Sequence, residues 1–281
     1  MYIRYFIKNL SLLLLLCLTG FSFASEKTES RSYKLGVLPY LSSKNMQKIY
    51  SPASDILSKR LNHETTLISE YSHRDFIHKL SNELYDIVLV SPFLYSIAVD
   101  HKNYIPVLKV KEPFSALIVT LDGGPIKSIV DLKGQVVATP PIFSPTVNLA
   151  VAALVDQGVI PGIDIKLLEN ETVDACLQHL IDKAAIACVS PPFVPSFFEN
   201  EMNVKLHTLL KSSSIPSVAL LVHSRVESSV RDQVKEVFAS LSNTEQGRKV
   251  LQGMQTEGFI GIDDDEYDVV RKLLKKSKFL H

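Results

Sequence analysis

Hydroxyl groups recur in this chain where a helix would begin. Ser144, Pro145 and Thr146 follow an apolar run that ends at Thr139 and precede a long apolar helical pattern. Ser144 suits the N-cap and Pro145 the first helical position, while Thr146 sets a second hydroxyl among backbone N–H groups that lack a partner inside the helix. Those donors and the positive end of the helix dipole favour negative charge, so the chemistry on offer is anion binding. Ser91 with Pro92, Asn170 with Glu171 and Thr172, and Ser190 stand in the same relation to other apolar runs, and Tyr40 and Tyr95 lie in or beside such loops. One such terminus is an ordinary capped helix. The repetition points to a ligand.

No Gly-x-Ser-x-Gly, His-Glu-x-x-His, P-loop or Cys-x-x-Cys pattern occurs, so nucleophilic, zinc and nucleotide chemistry have no motif to rest on. The chain is therefore expected to perform no reaction and to need no cofactor or metal. His73 and His78 are five apart, on different faces of a helix, and read as surface residues. Basic residues are scattered. Their one dense cluster, Arg271, Lys272, Lys275, Lys276 and Lys278, reads as a solvated helix face, which excludes nucleic acid as a partner.

The scaffold that must position these loops begins after a leader. Arg4 and Lys8 form a positive n-region, Leu10 to Leu18 an apolar core, and Ser22, Phe23 and Ala24 a small-x-small cleavage site. This is the pattern of a secretory signal peptide over residues 1–24, too short in its apolar core for a membrane span. Cys17 lacks the small residue before it that a lipid anchor needs. Without Arg4 and Lys8 the balance is 28 basic against 30 acidic residues, or −2. The mature protein is expected to be soluble, monomeric and exported to the periplasm of a Gram-negative bacterium. Cys176 and Cys188 remain in a compartment where disulfides form. Cys176 falls on a helix stripe and Cys188 on the next strand. Pairing is open, with two buried thiols favoured, because a bridge needs Cα atoms within about 7 Å and helix and sheet layers often stand farther apart.

Of the 281 residues 46% are hydrophobic, enough for two domains with real cores. Apolar β-type runs alternate with helical patterns, the signature of an α/β fold with largely parallel strands. Strands are predicted near 33–38, 65–69, 87–90, 105–110, 115–121, 136–139, 163–168, 185–189, 206–210 and 218–223. Helices are predicted at 46–61, 74–80, 92–100, 145–157 and 172–183, with a final set from 228. Residues 111–115 and 211–216 each precede a β run and read as crossovers between two lobes. One lobe is expected from 33–116 with 217–281 and the other from 117–216, with a cleft between them. In open α/β sheets ligands sit beyond the carboxyl ends of the strands, where the loops above lie.

With these landmarks the chain resembles the phosphate, phosphite and phosphonate-binding periplasmic proteins, the substrate-binding components of ABC importers. The resemblance rests on Leu35 to Pro39, Tyr85 to Pro92, Pro125 to Gly134, Thr244 to Arg248, Gly258 with Phe259, and Asp264 to Arg271. It implies a two-lobed type II periplasmic-binding fold, each lobe a mostly parallel sheet flanked by helices. It also implies a small anionic ligand, phosphate, phosphite or a phosphonate, and an inner-membrane ABC permease as partner. A membrane kinase or cyclase that senses the loaded protein, or a ligand without phosphorus, is the alternative. By the resemblance Ser144 and Thr146 hold the oxyanion, Ser91, Tyr95 and Tyr40 close over it, and Ser190 marks a further site loop. Glu171 is the carboxylate left for a ligand ammonium group. The family's Ser-Thr-Ser-Gly run is here Ser144, Pro145, Thr146 and Val147, one hydroxyl fewer and without the glycine.

Overall fold

The computed structural model describes residues 32–276. The expected leader and Lys278 lie outside the described residues. The strands are β1 (Tyr33–Val37), β2 (Thr65–Ser69), β3 (Ile87–Val90), β4 (Tyr104–Val110), β5 (Leu117–Leu121), β6 (Val136–Thr139), β7 (Lys166–Glu169), β8 (Ala187–Ser190), β9 (Leu206–Lys211), β10 (Ala219–His223) and β11 (Phe259–Ile260). The helices are α1 (Ser43–Leu61), α2 (His73–Ser81), α3 (Pro92–His101), α4 (Pro145–Asp156), α5 (Val173–Ile181), α6 (Pro195–Met202), α7 (Ser228–Ala239), α8 (Glu245–Met254) and α9 (Asp268–Lys276).

Two sheets result, ordered β11-β4-β10-β3-β1-β2 and β7-β6-β8-β5-β9. In the first, β1 to β4 share a direction and β10 and β11 oppose them. In the second, only β5 opposes the other strands. The two reversed interior strands, β5 and β10, are those that follow residues 111–116 and 211–216. Each enters its sheet between two strands of the opposite direction. The connecting segments run side by side: Phe114 and Ile215 exchange both backbone hydrogen bonds at 2.9 and 2.8 Å, and the Ala116 amide donates to Ser212 Oγ at 2.9 Å.

The central strands β3, β8 and β10 are buried along their whole length, as near-continuous apolar runs covered on both faces must be. Helix α1 buries Met46, Ile49, Tyr50, Ala53, Leu57 and Leu61 at helical spacing. Strand β7 begins three residues later than expected. Ile163 is instead exposed in a turn, because Gly162 takes φ +83° and Asp164 accepts the Ile160 amide at 2.8 Å. The short helix α6 and the two-residue strand β11 have no sequence counterpart among the expected elements.

Two expectations are corrected. Cys176 and Cys188 form a disulfide, with Cα atoms 5.8 Å apart. Helix α5 lies directly on β8, and their separation falls inside the bridging range. Arg271 is no solvated cation: it is only 19% exposed and binds both oxygens of Asp100 at 2.9 and 2.7 Å, as well as Asp264 at 2.8 Å. It fastens α9 to α3. Lys272 and Lys275 of the same helix are exposed, as expected. Among the described residues no helix is long and apolar enough to cross a membrane.

Candidate functional site

The residues that follow β1, β3, β6 and β8 meet at a cavity of about 70 Å³ between the two sheets. A water needs roughly 10–15 Å³ by the same measure, so the space suits a ligand of about five heavy atoms. The openings of several helices supply its wall: His73 of α2, Ser91 before α3, Ser144, Pro145 and Thr146 at α4, and Val173 of α5. Ser144 is the N-cap of α4, its hydroxyl accepting the Val147 amide at 3.3 Å, and Pro145 is the first helical residue. Ser91 caps α3 through backbone geometry alone and its hydroxyl makes no bond to that helix. The wall contains no Asp, Glu, Lys or Arg. An anion there would be held by neutral donors and aligned dipoles.

Of the residues expected at a site, Tyr40, Ser91, Ser144 and Thr146 line this cavity and Tyr95, Glu171 and Ser190 do not. Tyr95 is the fourth residue of α3, one turn beyond the helix start. Its hydroxyl donates to Asp264 at 2.6 Å and its ring stacks on Tyr267 at 3.7 Å. Ser190 is fully buried and donates to the Pro191 carbonyl at 3.0 Å. Glu171 is exposed, and the preceding Asn170 donates to the Leu168 carbonyl at 2.9 Å. Ser115, a weaker candidate, is buried beside the crossover with its hydroxyl unpaired.

Three further wall residues escaped the sequence reading. Tyr50 lies inside α1 and meets Tyr40 hydroxyl to hydroxyl at 3.0 Å. Burial, then the charge and hydrogen bond of Tyr50, hold Tyr40 well above the usual phenol range, and burial pushes Tyr50 up to about 12. Both remain protonated at neutral pH. One hydroxyl hydrogen serves the pair and the other is left for a ligand. Phe193 follows β8 by three residues and sets its ring edge-on to Tyr40 at 5.3 Å. His73, expected on the surface, is 6% exposed. Applying the strand-end rule to β2 as well would have found it.

The cleft is fastened across its mouth. The Tyr40 carbonyl accepts the Val173 amide at 2.9 Å, and Asp174 accepts from the Ser42 amide at 3.0 Å and from Asn45 at 3.2 Å. Lys48 reaches Glu201 at 2.6 Å.

Two mixed α/β sheets joined by paired crossovers, each feeding a reversed strand into its sheet, with strand ends converging on a small cavity, define a type II periplasmic-binding fold. The family described as "ABC transporter, phosphonate, periplasmic substrate-binding protein" matches residues 35–267, and the chain belongs to that family. Its solved relatives share the fold at low identity. The binding protein component of an ABC phosphonate transporter from Pseudomonas aeruginosa superposes with a TM-score of 0.76 at 15% identity, covering 87% of this chain and 86% of that one. PhnD1 from Prochlorococcus marinus, in complex with methylphosphonate, gives 0.76 at 16% identity, covering 89% and 100%. The alkanesulfonate-binding protein SsuA from Xanthomonas axonopodis pv. citri, bound to MOPS, gives 0.62 at 14% identity, covering 89% and 94%.

Proposed function

We propose that this protein captures a small phosphorus oxyanion, phosphate, phosphite or a short phosphonate, in the periplasm as a monomer and delivers it to an ABC permease. The observation that carries the reading is the convergence of helix N-termini and hydroxyls from both sheets on one uncharged cavity of about 70 Å³. Each hydrogen bond to a charged ligand contributes about 1.5–3 kcal/mol, and micromolar affinity needs about 8. Donors from a single sheet do not reach that figure. Binding therefore requires Tyr40 and Ser91 on one side and Ser144 and Thr146 on the other. The lobes, 33–116 with 217–281 and 117–216, close about residues 112 and 214.

Thermal melting in phosphate-free buffer tests this reading. A cognate oxyanion at 100 times its dissociation constant adds about 2.7 kcal/mol, seen as a rise of several degrees in melting temperature. No rise with phosphate, phosphite or methylphosphonate would remove it. Thr146→Ala is expected to weaken that ligand about tenfold while leaving the unliganded melting temperature in place, as loss of one charged hydrogen bond implies. Asp174→Ala removes the acceptor shared by Ser42 and Asn45 across the cleft. Partly solvated bonds of this kind are weak, so a loss of about threefold to tenfold in affinity is expected by calorimetry, carried in the dissociation rate.

A further inference from the structure

A second cavity, of about 180 Å³, adjoins the first on the side of the crossovers. Tyr50, Leu89, Phe114, Phe193 and Val218 line both, so their side chains form the partition between the two. That partition carries one polar side-chain atom, the Tyr50 hydroxyl, which meets Tyr40 at 3.0 Å. Beyond it the wall is mainly apolar, with Val110, Pro113, Met254 and Phe259. Glu112 is its one charged residue, and both carboxylate oxygens are engaged, by the Thr256 hydroxyl at 2.6 Å and the Glu257 amide at 2.8 Å. Regular structure fixes four members of the partition. Tyr50 stands in α1 and Leu89 in β3, the Val218 carbonyl accepts the Val110 amide at 2.9 Å, and Phe114 is paired with Ile215. Phe193 instead belongs to the loop between β8 and α6, half-buried, with its ring 6.3 Å from that of Phe114. It is the member free to swing aside.

The first cavity takes about five heavy atoms, the size of both phosphate and methylphosphonate, and the two differ in what they set against the partition. Phosphate sets a fourth oxygen there, which apolar side chains cannot pair and which is costly to bury. A phosphonate sets carbon there. Resting on the oxyanion reading above, we propose that the ligand is a phosphonate with an apolar substituent of butyl or phenyl size, its head held by Ser91, Ser144 and Thr146 and its substituent passing Phe193 into the second cavity. That cavity is more than twice the volume of the first. Each methylene buried there is worth about fourfold in affinity.

Calorimetry with phosphate, methylphosphonate, butylphosphonate and 3-aminopropylphosphonate tests this assignment. Butylphosphonate is expected to bind about tenfold or more tighter than methylphosphonate, less than three full methylene contributions because the chain must be ordered. Its binding heat capacity should also be the more negative. 3-Aminopropylphosphonate puts an ammonium where butylphosphonate has its terminal methyl, and should bind no tighter than methylphosphonate. Equal affinity for the methyl and butyl compounds would overturn the role of the second cavity and leave the oxyanion reading in place. Tighter binding of the amine than of the butyl compound would assign that cavity to a cation and overturn the apolar substituent. No binding of any of the four would overturn the oxyanion reading itself. Val110 lines the second cavity and not the first. Val110→Phe is therefore expected to bring butylphosphonate to within about threefold of methylphosphonate, with the affinity for methylphosphonate unchanged. A butyl advantage kept in full by this variant would place the substituent elsewhere. Should Val110→Phe fail to fold, the wild-type series decides.

Discussion

Replacing Cys176 and Cys188 together by alanine is expected to lower the unfolding free energy by about 3 kcal/mol and the melting temperature by roughly 6–12 °C. The bridge closes a loop with a sequence separation of 12 residues, and the loop-closure entropy it removes from the unfolded chain accounts for that figure. Both sulfurs are fully buried, so a reductant applied to the folded protein should act only as fast as the chain opens. The same bridge ties α5, whose first residue Val173 lines the cavity, to β8, which leads into Pro191 and Phe193. Ligand affinity should therefore fall along with stability. A double variant with unchanged denaturant midpoint and affinity would show that the bridge constrains nothing the native packing does not already hold.

Gly247→Ala is the second large effect, and its sign runs against helix propensity. In an open helix the change would stabilise by about 0.8–1 kcal/mol. Here a Cβ would stand 2.0 Å from the Leu241 carbonyl oxygen and 2.7 Å from its carbon, backbone atoms that cannot rotate away. The Thr244 hydroxyl, which accepts the Gly247 amide at 3.0 Å, fixes the first turn of α8 against that same segment. Overpacking of this kind costs about 1–3 kcal/mol or more, so a net loss of about 2 kcal/mol is expected in chemical denaturation. Gly253 of the same helix supplies the control. Its nearest neighbour is Ile49 Cγ2 at 3.8 Å, an ordinary contact, and Gly253→Ala should be neutral or slightly stabilising. Equal effects at the two positions would contradict the close approach at residue 241.

The sequence marks the elements well where local and tertiary preferences agree. The runs at Thr65–Ser69, Ile87–Val90 and Val136–Thr139 are strands with the expected limits, because β-branched and apolar residues bounded by turn signals suit parallel strands. It misleads where a local pattern is overridden, as at Ile163, whose apolar side chain sits in a glycine turn. Helix α6, begun by Pro195 after a proline-rich loop, carries too short a pattern to be read.

The site divides in the same way. Ser144, Pro145 and Thr146, with Ser91 and Tyr40, are legible because capping chemistry is local and strand ends in α/β sheets meet at a predictable edge. Tyr95 stands four residues from Ser91, a full turn further along α3, where its hydroxyl is taken by Asp264 and its ring lies beneath Arg271. Tyr50, His73 and Phe193 enter the cavity from positions whose neighbours are set only when the two sheets face one another. The cysteine pair followed the same logic, since spacing could not say how closely α5 would lie on β8. By itself the sequence determined what depends on a few adjacent residues: the helix starts, the strand runs, the crossovers and the family landmarks. Tertiary structure alone decided the rest, the charge-free wall, the buried imidazole, the disulfide and the fastened cleft, because each depends on distances between segments far apart in the chain.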